Sequence, residues 1–178
     1  MMPKPTPKIL AFDILDSTNL YLKNHYQELA SHTVVVAKYQ TSGYGRYKRF
    51  WEASLGDNLL FSLILKEKIA LSINELSDLI VNSIISTLKE FSINAYFLYP
   101  NDIYANGKKI AGILIETKYF GKKLLYIIVG IGLNVNQEQF QNENAISMWQ
   151  ITNQKFDLKI LLNRFLEQFY ARITEYLG

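Results

Sequence analysis

YFLYPNDIYANGKKIAGILIETKYFGKKLLYIIVGIGLNVN, residues 96–136, decides the fold of this 178-residue chain. Asn106-Gly107 is a hairpin signal, because both turn positions of the tightest hairpin need positive φ. It splits residues 96–116 into strand, turn, strand. The FGKK at 120–123 reads as a second tight turn. The strand that follows it therefore pairs antiparallel with IAGILIE, residues 110–116. The runs GILIE (112–116) and YIIVGIG (126–132) are apolar almost throughout, as in strands covered on both faces.

Outward from that core, ILAFDIL (9–15), HTVVVAKYQ (32–40) and NLLFSLILK (58–66) read as further strands. Asp16, Ser17 or Thr18 caps a helix that continues to Ala30. Leu76, Leu79, Ile80, Ile84, Leu88 and Phe91 recur at helical spacing over 75–91. Leu158, Leu161, Leu162, Phe165, Phe169, Ile173 and Tyr176 mark a C-terminal amphipathic helix. Helices alternating with hairpin-linked strands predict an α+β fold: a mixed, largely antiparallel sheet with helices packed mainly on one face. The expected organisation is a flexible arm over 1–8 and one domain over 9–178.

Composition narrows the function classes. Hydrophobic residues make up 49% and charged residues 20%, the balance of a folded chain. The formal charge is +3, so a local basic patch matters more than the total. The absence of cysteine excludes disulfides, thiolate metal sites and a cysteine nucleophile. No apolar run is long enough to span a bilayer, and MMPKPTPK lacks a signal-peptide core. The expected location is the cytoplasm. There is no Walker A sequence and no HExxH. GYGRYK has lysine where the third glycine of a dinucleotide loop belongs. His25 and His32 read as helix or loop surface, which leaves a Ser-His-Asp triad without a base.

Four short pieces remain. QTSGYGRYKRFW (40–51) joins Gly43 and Gly45, which permit positive φ and close ligand approach, to Arg46, Lys48 and Arg49. Loop N–H groups cradle anions, and guanidinium forks suit phosphate. Tyr44, Tyr47, Phe50 and Trp51 offer flat faces; the plainer reading is a solvated hairpin loop. In YPNDIYANGKK (99–109), Asn101 and Asp102 form either an Asx turn or a polar pair that holds an arginine or a metal. Strand alternation sends Lys108 and Lys109 to opposite faces, so one can reach over a pocket while the other meets solvent. In VGIGLNVN (129–136), Gly130 and Gly132 weaken a strand unless something approaches closely, and Asn134 lies at its end. DSTN (16–19), taken alone, is a helix cap.

In this order the four pieces resemble the catalytic domain of biotin protein ligases, over residues from about 9 to 175. The resemblance implies ATP- and Mg²⁺-dependent activation of biotin to biotinyl-5′-AMP. Transfer to one lysine of a biotin carboxyl-carrier domain follows. It places Ser17, Thr18, Asn19 and Gln40 at the biotin end, and wraps Gly43, Tyr44, Gly45 and Arg46 around the acyl-phosphate. Arg49 and Trp51 share that loop. Asn101 and Asp102 lie at the phosphate and metal side, with Asp102 the candidate Mg²⁺ ligand. Lys109 matches the lysine that touches carboxylate and phosphate, so Arg46 and Lys109 are the expected catalytic pair. Gly112, Gly130, Gly132 and Asn134 complete the pocket.

Three positions depart from the family pattern: Tyr44 stands for arginine, Lys48 for glycine, and Leu98 for a lysine two residues before the proline of PND. The last predicts weaker ATP or pyrophosphate binding. Starting at the catalytic strand and stopping at the last helix, the chain is expected to lack the family's DNA-binding and SH3-like domains. It is therefore expected to bind no DNA and no membrane, and a homodimer is open to it. The alternatives are a degenerate relative that binds biotin without turnover, a lipoate or octanoate ligase or transferase of the same fold, and a single-stranded nucleic-acid module built on the basic aromatic loop.

Overall fold

The computed structural model describes residues 5–67 and 69–177. Residues 1–4 of the expected arm lie outside them, and its last residue, Lys8, already opens a strand. In chain order the elements are β1 (Lys8–Leu15), α1 (Thr18–His25), β2 (Thr33–Gln40), β3 (Leu59–Leu65), α2 (Ile73–Glu90), β4 (Ala95–Leu98), β5 (Asp102–Ala105), β6 (Lys108–Phe120), β7 (Lys123–Leu133), α3 (Met148–Thr152) and α4 (Leu158–Ile173).

The strands form one sheet in the order β1-β2-β3-β7-β6-β5-β4. Only β1 and β2 run parallel; every other pairing is antiparallel. The two expected turns are present. Asn106 and Gly107 both have positive φ, at 50° and 76°. At the β6–β7 turn only Gly121, the first of two turn residues, has positive φ, as a type II′ turn requires. The stretch 96–105 is not one strand, however. Tyr99, Pro100 and Asn101 turn the chain, and β4 pairs back onto β5 with Leu98 opposite Asp102.

The sheet has two different faces. Phe61, Leu63 and Leu65 of β3 and Ile127, Val129, Ile131 and Leu133 of β7 join the apolar residues of α2 and α4 in the main core. Alternate residues point the other way, where Ile64, Tyr126 and Ile128 meet Leu22 of α1. The two long helices thus share one face, as expected, and α1 covers a patch of the opposite one. Beside α1 on that second face, the cleft opens.

Caps set the helix ends. The Ser17 side chain accepts from Leu20 N–H, and α1 ends at His25 rather than running to Ala30. Ser72 and Glu75 form a reciprocal capping box on α2, and Asp157 accepts from two N–H groups of α4. His32 is not a surface residue. It adopts φ 63°, its Nε2 lies 2.6 Å from Glu67 Oε1, and its Nδ1 lies 3.0 Å from the Tyr170 hydroxyl.

Candidate active site

Five strands, β2, β3, β5, β6 and β7, and the start of α1 contribute to the cleft. Gly112 of β6 and Gly130 and Gly132 of β7 form its floor, on the face away from the main core. Strand pairing sets Gly112 directly opposite Gly132. None of these glycines is in the left-handed region; each is needed for space. A Cβ on Gly132 would lie 2.6 Å from Cε2 of Trp51, and one on Gly112 would lie 2.9 Å from Cζ3 of the same ring. The indole therefore lies flat on the sheet. One step along β7, a Cβ on Gly130 would run into the Asn19 amide.

Around Gly130 the cleft is lined by uncharged hydrogen-bonding groups, backed by one ion pair, Lys23–Glu116. Thr18 N–H and its hydroxyl reach Gln40 Oε1 at 2.7 and 3.0 Å. The Thr18 hydroxyl is 2.6 Å from that of Ser62, which donates in turn to Asn19 Oδ1. Asn19 Nδ2 donates to Glu116 Oε2 at 2.7 Å, and Lys23 Nζ donates to the other oxygen of that carboxylate at 2.6 Å. Burial alone lowers the Lys23 pKa, but its hydrogen bonds to Glu116 and Tyr44 outweigh burial and hold it above the ordinary lysine value.

Around Gly132 the cleft is charged. Lys109 Nζ lies 2.7 Å from Asp102 Oδ1 and 5.2 Å from the Trp51 ring centre. The Lys109–Asp102 contact is ionic, with angles outside a directed hydrogen bond, so Oδ1 keeps acceptor capacity. Lys108 points to solvent, as alternation predicts. Asn101 lines the cleft and also ties the β4–β5 turn to β6, with Nδ2 donating to Ile113 O at 3.1 Å.

The loop 41–51 forms the remaining wall. It closes on itself through Gly45 N–H to Arg49 O and Trp51 N–H to Gly43 O. Arg46 and Arg49 stack on the Tyr47 ring at 5.2 and 6.0 Å. The left-handed residues are not the expected glycines but Tyr47 and Lys48, at 57° and 56°; Gly45 has φ −100°. Gly43 is required for a different reason, since a Cβ there would sit 2.8 Å from Gln40 Nε2.

The structure thus gathers Ser17, Thr18, Asn19, Gln40, Tyr44, Gly45, Arg46, Arg49, Trp51, Asn101, Asp102, Lys109, Gly112, Gly130 and Gly132 around one cleft. Its empty volume is about 910 Å³, counting solvent at the mouth. Two expected residues stand behind the lining. Gly43 backs onto Gln40. Asn134 is buried, and its Nδ2 faces Lys109 O and Ile146 O at 3.4 and 3.2 Å, so it fastens the start of β6. Leu98 is 46% exposed and does not line the cleft.

A profile of the Biotin/lipoate A/B protein ligase family matches residues 11–134. The chain belongs to this family. It is 33% identical over 181 residues to the bifunctional ligase/repressor BirA of Bacillus subtilis, covering 95% of this chain and 54% of that protein. It is 34% identical over 132 residues to biotin–protein ligase 2 of Arabidopsis thaliana, covering 70% of this chain and 40% of that one. The chain spans about half the length of the Bacillus relatives it matches. Its fold superposes on the Aquifex aeolicus biotin protein ligase in complex with biotin and ATP with a TM-score of 0.83 and 30% identity, covering 94% of this chain and 71% of that one.

Residues outside the sequence motifs also shape the site: Ser62, Lys23 and Glu116. Each had a signal. Ser62 is a lone hydroxyl in an apolar run, Glu116 shares strand parity with Gly112, and Lys23 lies one helical turn beyond Asn19.

Proposed function

We propose that this chain is a biotin protein ligase. It activates biotin with ATP to biotinyl-5′-AMP and passes the biotinyl group to a lysine of a biotin carboxyl-carrier domain. The observation that carries this reading is the change in chemistry along one glycine floor. Uncharged hydrogen-bonding groups, Thr18, Asn19, Gln40 and Ser62, face the Gly130 end with the Lys23–Glu116 pair behind them, and Lys109, Asp102 and Trp51 surround Gly132. A ureido ring needs the first set, and a carboxylate meeting a phosphate needs the second. The Aquifex relative's complex with biotin and ATP supports the same assignment.

The first barrier is repulsion between two anions. Arg46 and Lys109 offset it, and their charge is worth most as the transition state develops. Asp102 holds the Lys109 ammonium at 2.7 Å, above the indole. Trp51, Phe50 and Tyr47 keep water from the mixed anhydride that forms. No nucleophile from the chain is needed. The acceptor amine attacks the acyl carbon and AMP leaves.

Magnesium fits the donor set. Asp102 Oδ1 has no directed hydrogen bond, and this ion needs only one or two carboxylates when phosphates complete its shell. When bound it would supply charge neutralisation on the phosphates. Among the described residues no group of three or more His, Asp or Glu side chains offers an all-protein cage.

No helix among the described residues is long and apolar enough to cross a membrane. We place the reaction in the cytoplasm, where ATP and carrier domains meet. The test is mass-spectrometric biotinylation of a carboxyl-carrier domain with biotin, ATP and Mg²⁺, with lipoate replacing biotin as a control. Wild-type protein should label one lysine. Arg46→Ala and Lys109→Ala should each lose about 10²–10³-fold in rate. Labelling with lipoate but not biotin, or equal labelling by both variants, overturns the proposal.

A further inference from the structure

The loop tip, residues 44–50, has little to hold it. Its backbone bonds close within the loop. Arg46 and Arg49 lie over the Tyr47 ring, and Tyr47, Lys48, Arg49 and Phe50 are exposed. Among the described residues, one side-chain hydrogen bond joins this tip to the rest of the molecule. Lys23 Nζ donates to the Tyr44 hydroxyl at 3.3 Å.

Lys23 is well placed for that task. It follows Asn19 by one turn of α1, and its side chain is 27% exposed against 25% for that of Glu116. Glu116 divides its two oxygens between Lys23 and Asn19. One carboxylate therefore sets both the amide over Gly130 and the cation that reaches the loop. The chain of contacts runs from Tyr44 through Lys23, Glu116, Asn19, Ser62 and Thr18 to Gln40, at the base of the same loop.

We propose that Lys23 is a positioning residue that latches the loop 41–51 over the cleft. It does so by joining Tyr44 to the Glu116–Asn19 pair, so that correct seating of the Asn19 amide and closure of the loop occur together. This rests on the ligase reading. Lys23 does not touch the reacting atoms. It acts through Tyr44, and its contribution is to keep the activated acyl group enclosed until an acceptor arrives. A long cation here matches the phenol at position 44. With an arginine at that position the two cations would repel.

The experiment follows retention of the activated intermediate. Full-length protein is loaded with biotin, ATP and Mg²⁺, freed of small molecules by gel filtration, and sampled for bound biotinyl-AMP over time without acceptor. Lys23→Met keeps the aliphatic stem and removes the charge. It should shorten the retention half-life by about tenfold, the loss of one charge-assisted hydrogen bond. Adenylate formation at saturating substrate is read in the same samples, so that slower formation is separated from faster loss. Lys23→Arg should restore retention. Tyr44→Phe, on the exposed loop, should reproduce the shortened half-life even if Lys23→Met folds poorly. The double variant should be no faster than the faster single one, as expected for two partners of one contact.

A half-life unchanged in both single variants overturns the latch while leaving the ligase intact. So does a double variant whose two effects multiply. A wild-type protein that forms no adenylate overturns the ligase reading, and the latch with it.

Discussion

A single methyl group separates the two kinds of glycine in this site. Gly45 and Gly132 both line the cleft, yet a Cβ on Gly45 would have nothing nearer than Arg49 O at 4.0 Å, whereas one on Gly132 would lie 2.6 Å from the indole. Gly132→Ala must lift Trp51 from the sheet or bow β7, an overpacking cost of about 1–3 kcal/mol. Because Trp51 also lies under Lys109, the displacement reaches the charged end directly. Biotin-dependent ATP–pyrophosphate exchange by Gly132→Ala should fall by about 5–150-fold, the rate equivalent of that cost carried to the charged end. Gly45→Ala meets no protein atom. If it also loses exchange, the cause is ligand passing close to the Gly45 backbone, and biotin-only calorimetry would separate the two halves of the ligand. Wild-type exchange in Gly132→Ala would show that the indole is not held where the floor places it.

At the scale of elements, the strands around the cleft were legible in the sequence because local chemistry determines them. Asn106-Gly107 and Phe120–Lys123 place their turns unaided, and the helical spacing in α2 and α4 sets which faces are buried. Residues that depend on partners far along the chain were not legible. His32 has the sequence context of a loop residue. Its burial follows from Glu67 and Tyr170, which arrive on the chain ends of β3 and α4. The insertion of β7 between β3 and β6 is likewise a tertiary outcome, since no local pattern says which strand a buried run will join. Lys23 and Glu116 had only weak signals, helix spacing and strand parity, and their roles exist only once the Glu116 side chain on β6 reaches α1. The His32 cluster makes an element-scale prediction. Glu67 is partly buried, which raises its pKa, but hydrogen bonds from His32 and Ser31 more than offset this and bring it to about 2 from 4.5. Its contribution is therefore complete above pH 4.5 and fades as pH falls toward 2. Thermal melts should show Glu67→Gln less stable than wild type by about 1–3 kcal/mol at neutral pH. The gap should close as the buffer is acidified through that window. A gap independent of pH would mean that Glu67 stabilises by packing rather than by charge.

At the scale of the whole molecule, the sheet separates stability from chemistry. One face meets α2 and α4 and holds the main core. The other has a smaller apolar cluster under α1 and, beside it, the loop and the glycine floor, where polar groups and charges replace apolar packing. A folded chain that leaves this face open should gain stability when substrates fill it, because anything that binds only the native state stabilises it by mass action. At a hundred times its dissociation constant, a ligand adds about 2.7 kcal/mol. For a chain of this length that corresponds to roughly 5–11 °C in Tm. Biotin alone should give part of the shift by seating on Thr18, Asn19 and Gln40. Biotin with ATP and Mg²⁺ should give more, because on the ligase reading the ligand then contacts both ends of the floor. Lys109→Ala should keep the biotin shift and lose the increment from ATP. Equal shifts with biotin alone and with all three components would mean that the charged end does not engage the nucleotide. The division of labour along β7 would then have to be redrawn with Gly130 as the only ligand-facing step.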